Sequence, residues 1–147
     1  MAARVDFYVL ESADERALQV YACRVIEKAF LQQLTVCVSL ETPAAAAAFD
    51  QLLWTFADRS FVPHALAADA GATAGAPPAT PVQLGCRVPI AADLLVNLAG
   101  EPPEFYAGYA RLAEFVDADS ERREAGRRRF AYYRDHGSIP ETHRVAL

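Results

Sequence analysis

Apolar and polar positions along the chain follow two periods, one suited to strands and one to helices. Val5 to Leu10 is a short, mostly apolar run, as a strand requires. After Ser12-Ala13-Asp14, a cap-like sequence, Leu18, Tyr21, Ala22, Val25, Ala29 and Phe30 recur at helical spacing and predict a helix from about Glu15 to Gln32. Leu34 to Leu40 is β-branched and nearly unbroken in apolarity, the pattern of a strand covered on both faces. Thr42-Pro43 opens a second helix, with Pro at the first helical position, which runs through an alanine block to about Leu53 or Trp54. Phe61-Val62-Pro63 predicts a short third strand or an extended segment.

Ala67 to Pro81 is rich in Ala, Gly, Thr and Pro and predicts a flexible loop. Val82 to Val88 and Asp93 to Leu98 are two further strand candidates. Pro102-Pro103 breaks the chain, and Phe105 to Tyr109 predicts a short helical turn. Arg111 to Val116 is the last strand expected, and Asp117 to Asp119 caps a long basic helix. Gly137 stands where a helix-terminating glycine belongs, and the tail from Ser138 to Leu147 has no clear periodicity.

Strands alternating with helices predict an α/β fold, a mostly parallel sheet flanked by helices in a Rossmann-like, mononucleotide-binding-like topology. The 147 residues suit one domain over 1–147, enough to bury about two thirds of the unfolded surface. Such sheets often carry a phosphate loop, and this one has none. Neither Gly-x-Gly-x-x-Gly nor Gly-x-x-x-x-Gly-Lys-Ser/Thr occurs. The first strand is followed by Glu11-Ser12-Ala13-Asp14-Glu15, which lacks glycine and whose carboxylates repel phosphate.

Other chemistry is equally sparse. Cys23, Cys37 and Cys86 are widely spaced in apolar surroundings and read as buried thiols. His64, His136 and His143 form no His-x-x-x-His pair, so neither a metal nor a cofactor is expected. His64 has no acidic partner in the nearby sequence, and Glu11, Asp14 and Glu15 are explained by helix capping and the helix dipole. There is no Gly-x-Ser-x-Gly elbow, and no catalytic site is expected. The 53% hydrophobic fraction owes much to Ala, and no apolar run is long enough for a membrane span. Met1-Ala2-Ala3-Arg4 leads straight into the first strand, so a soluble, cytoplasmic chain is expected.

Charge changes this picture. Six of the fourteen Lys and Arg residues fall between Arg122 and Arg134, where Glu124 is the only acid, in a chain of formal charge -5. At about 100° per residue, Arg123, Arg127, Phe130 and Arg134 share one helix stripe roughly 60° wide. Three guanidinium groups around one aromatic ring can hold an acidic, partly apolar ligand. The same stripe also reads as a solvated face whose cations favour the helix dipole near its C-terminus. The acidic remainder argues for weak or no direct nucleic-acid binding. A second distinctive stretch, Leu52 to His64, is unusually aromatic for a helix end. Trp54 and its neighbours there read either as interface anchors or as a cluster closing one end of the sheet.

Phe7-Tyr8-Val9-Leu10, the stretch from Leu53-Trp54 to Ser60-Phe61-Val62-Pro63-His64, and the end from Phe115-Val116 through Arg127, Arg129, Phe130, Tyr133, Arg134 and Gly137 share a pattern. Together they resemble the chi subunit family of bacterial DNA polymerase III holoenzyme, in order, spacing and length, over essentially the whole chain. The resemblance implies a noncatalytic accessory of the clamp loader with two partners. One is the psi subunit, which connects it to the loader, and the psi-facing surface would include Trp54, Phe61 and Pro63. The other is the acidic C-terminal tail of single-stranded DNA-binding protein, which ends in a Phe carboxylate. The tail site would comprise Val116, Arg123, Arg127, Phe130 and Gly137, with Arg134 beside them. The family often has Lys where Arg123 stands and Tyr where Phe130 stands, and a basic residue where Ala131 stands. The rival reading is a direct single-stranded nucleic-acid-binding module using the Arg122 to Arg134 helix, with Phe130 stacking on bases.

Overall fold

The computed structural model describes residues 3–57, 62–66, 81–85 and 91–146. Seven strands form one sheet: β1 (Arg4–Leu10), β2 (Val36–Ser39), β3 (His64–Leu66), β4 (Val82–Gly85), β5 (Leu94–Asn97), β6 (Arg111–Val116) and β7 (Glu141–Val145). Their order is β3-β4-β2-β5-β6-β1-β7, and every pairing is parallel. The helices are α1 (Glu15–Leu31), α2 (Pro43–Thr55) and α3 (Ser120–Asp135), and a 3₁₀ turn spans Tyr106–Gly108. This is the open α/β sheet that the alternation predicted.

Each helix begins where a side chain takes over an unpaired backbone donor. Asp14 accepts from the Arg16 amide, Thr42 from Ala45 and Asp119 from Arg122. At the end of α3, Gly137 adopts φ +94°, and the Gly137 and Ser138 amides donate to the Arg134 and Tyr133 carbonyls. Glycine reaches that backbone region without steric cost, so the helix stops there.

Side-chain alternation divides the core between the two faces of the sheet. On one face, Val36, Val38, Leu94, Val96, Ala113 and Phe115 pack with Leu18, Ala22, Ile26 and Ala29 of α1 and with Ala46, Phe49 and Leu53 of α2. On the other, Val5, Phe7, Cys37, Leu95, Leu112 and Val116 pack with Tyr133 of α3 and with Tyr106 and Tyr109 around the 3₁₀ turn. α3 approaches β6 closely because position 126 carries no side chain. A Cβ on Gly126 would lie 2.6 Å from Val116 Cγ2.

Two expectations are corrected, and two others fall partly outside the described residues. The third strand lies at His64–Leu66 rather than over Phe61-Val62-Pro63; Val62 and Pro63 lead into it, and Phe61 is outside the described residues. The strand expected from Val82 to Val88 is described only to Gly85, and the loop expected over 67–81 lies outside the described residues except for Pro81. Arg111–Val116 is not the last strand, because the tail supplies β7, paired with β1.

Gly126→Ala is expected to destabilise the protein by about 1–3 kcal/mol through overpacking, although Ala favours an isolated helix. In a Val116→Ala background the same substitution should be neutral or stabilising. Urea denaturation of the four proteins of this cycle measures the coupling.

Candidate functional site: a cationic groove between α3 and β7

The site is organised by a carboxylate inside the protein. Glu114 of β6 is fully buried. Its Oε1 accepts from Arg129 Nε at 3.0 Å, and its Oε2 accepts from Asn97 Nδ2 at 2.8 Å and from the Tyr133 hydroxyl. Arg129 also donates to the carbonyls of Gly100 and Phe115. Burial pushes the Glu114 pKa above the usual carboxylate range, against the pull of Arg129, Tyr133 and Asn97. Burial and the adjacent carboxylate raise Tyr133 as well, which keeps its hydroxyl a donor.

This network fixes the rotation of α3 about its axis. With Arg129 and Tyr133 turned inward, Arg123, Arg127, Phe130 and Arg134 face the edge of the sheet. They line a groove of about 480 Å³ whose floor is Phe7 and Val9 of β1, with Val116, and whose far side is Thr142 and Arg144 of β7. Phe130 is half-buried, its ring 5.3 Å from that of Phe7. Four guanidinium-bearing residues and no acid line the groove, among the described residues. Arg127 pairs with Glu124 at 3.3 Å and Arg134 with Asp135 at 3.4 Å. Both are exposed pairs, each worth at most about 1 kcal/mol, so an incoming anion can displace them.

The sequence stripe therefore survives, but its charge is redistributed. Of the six cations between Arg122 and Arg134, Arg129 is 5% exposed and committed to Glu114. Arg122 is committed to Asp117 and Glu15, and Arg128 is exposed without lining the groove. The fourth groove cation is Arg144, which helical periodicity could not reveal because it comes from β7. Val116 and Ala131 also line the groove, whereas Gly137 ends α3 beyond it.

The described part of the aromatic stretch, Leu52 to Ala57 and Val62 to His64, lies at the opposite edge of the sheet. Trp54, at 41% one of the exposed large hydrophobic residues, rests on His64 with ring centroids 4.1 Å apart. The buried His64 ring does have an acidic partner, contrary to the local sequence: Asp50 Oδ1 lies 3.2 Å from Nε2. Leu52 and Leu53 point into the core, so only part of the stretch faces outward, with Pro63 half-exposed beside it. Six strand spacings of about 4.8 Å separate the two edges by roughly 29 Å.

Asp6, Glu141 and His143 offer ligand atoms within 4.8 Å of one another, the one such group among the described residues. Two of them, Asp6 and His143, already satisfy each other, while Glu141 is exposed and its nearest oxygen lies 3.9 Å from His143 Nε2. His143 Nε2 donates to Asp6 Oδ1 at 2.8 Å, and Arg4 takes the other Asp6 oxygen at 3.2 Å. Burial pushes the Cys23 thiol up to about 12, which leaves it unreactive at neutral pH. Cys37 is buried too, and Cys86 lies outside the described residues.

The family profile described as DNA polymerase III chi subunit, HolC, matches residues 2–141. The DNA polymerase III subunit chi of Pseudomonas aeruginosa is 38% identical over 144 residues, covering 97% of this chain and 96% of that one. The DNA polymerase III subunit chi of Haemophilus influenzae is 30% identical over 140 residues, covering 93% and 94%.

Arg129→Met should cost about 3–5 kcal/mol at pH 7, because it leaves the Glu114 carboxylate buried without its counter-charge. Burial then raises the Glu114 pKa further above its unfolded value. The resulting stability is present below the unfolded pKa and is lost as pH rises through the folded one. The deficit relative to wild type is therefore expected to narrow between pH 7 and pH 5, as read from urea midpoints at both.

Proposed function

Because the chain belongs to the DNA polymerase III chi subunit family, we propose that it is a noncatalytic adaptor of the replicative clamp loader. It joins the loader through psi at the Trp54 and Pro63 edge. At the other edge it captures the acidic C-terminal tail of single-stranded DNA-binding protein. The observation that carries this reading is the groove itself: four guanidinium-bearing residues and no acid around an apolar floor. That combination suits a peptide with several carboxylates and one aromatic ring. The guanidinium groups meet the carboxylates in charge-assisted hydrogen bonds, and the terminal Phe ring lies against Val116 and Phe130.

Tethering raises the local concentration of the loader on template coated by single-stranded DNA-binding protein. A small contact of this kind suits micromolar affinity, about -8 kcal/mol, which breaks and re-forms readily. Direct binding of naked single strands fits less well, because acidic residues outnumber basic ones in the rest of the chain and repel a phosphate backbone.

Fluorescence anisotropy with a labelled peptide of the host's single-stranded DNA-binding protein tail tests the reading. Wild type should bind with a micromolar Kd that rises with salt. Arg127→Ala, or removal of the peptide's final Phe, should weaken binding by about tenfold or more. No binding at low salt, or tighter binding of an unstructured single-stranded oligonucleotide than of the peptide, would overturn it.

A further inference from the structure

We infer that β7 is the second jaw of the groove, and that Arg144 grips an acidic ligand from the side opposite α3. This rests on the groove being the peptide site proposed above. Parallel register places Thr142 beside Phe7 and Arg144 beside Val9. Side chains alternate, so these four share one face of the sheet, and the contact between Phe7 and Phe130 identifies it as the face beneath α3. His143, between them, points the other way and is bonded to Asp6. Arg144 is exposed and makes no salt bridge among the described residues, so its guanidinium is available to a ligand without breaking an internal pair.

The two jaws differ in what they read. Arg123, Arg127 and Arg134 lie along about 16 Å of helix, the reach of roughly five extended residues. They meet carboxylates along one side of a bound peptide. Successive side chains of an extended peptide point in opposite directions, so α3 alone would leave alternate carboxylates in solvent. Arg144 faces that second side. The ligand class is therefore an extended acidic segment with carboxylates on both of its sides, rather than one with a single charged edge.

The test is anisotropy with the tail peptide and with versions in which each acidic residue is changed singly to its amide. The proteins are wild type, Arg127→Ala, Arg144→Ala, Arg144→Lys and, as an exposed cation outside the groove, Arg128→Ala. Arg144→Ala is expected to weaken binding about tenfold with an unchanged melting temperature, Arg144→Lys to recover part of the loss, and Arg128→Ala to bind within about twofold of wild type. One amide change that weakens binding to wild type should have no further effect on Arg144→Ala, and it should differ from the change silenced by Arg127→Ala. If wild type binds and Arg127→Ala does not, but Arg144→Ala binds like Arg128→Ala, the second jaw is wrong while the peptide site stands. If wild type fails to bind at low salt, the peptide site itself is wrong.

Discussion

A single buried carboxylate governs the arrangement of this molecule. Glu114 sits on an interior strand of the sheet, on the face beneath α3, where an unpartnered charge would be severely disfavoured. Its oxygens are shared among Arg129, Tyr133 and Asn97, which come from α3 and from β5. Arg129 extends the network to the Gly100 and Phe115 carbonyls. Once these bonds form, α3 can neither rotate nor slide without stranding a charge. The near contact of Gly126 with Val116 fixes the depth of its seat. The outward side of the helix is therefore settled by what its inward side must hold. Arg127 stands two residues, about 200° of helix, from Arg129, and this sends one guanidinium to the groove and the other to the core.

The sequence disclosed elements that bury a face and missed those that do not. β1, β2, β5 and β6 announce themselves because both faces of the sheet are covered there. α1, α2 and α3 carry capping residues and apolar or cationic stripes at helical spacing. β7 escaped because Glu-Thr-His-Arg-Val forms an edge strand with no fully buried residue, so no apolar alternation marks it. β3 is three residues long, too short for any periodic signal to place.

The groove was half legible for the same reason. Its helical wall follows from periodicity within thirteen residues of sequence. Its other wall depends on pairing between strands that lie at opposite ends of the chain. Net charge also misled, because it counts Arg129 with Arg127 although one serves the core and the other the surface. The partnership of His64 with Asp50 was hidden likewise, since it is made only when β3 packs beside α2.

The lining of the groove has a consequence for control. It contains no histidine, lysine, cysteine or carboxylate among the described residues. Guanidinium groups keep their charge across the physiological pH range. There is thus no ammonium for acetylation to neutralise, no imidazole to sense acidity and no thiol to register oxidation. The positive charge of the lining is therefore constant with acidity and with oxidation. A surface of this kind is a fixed charge, set by the fold and not by the chemistry of its surroundings.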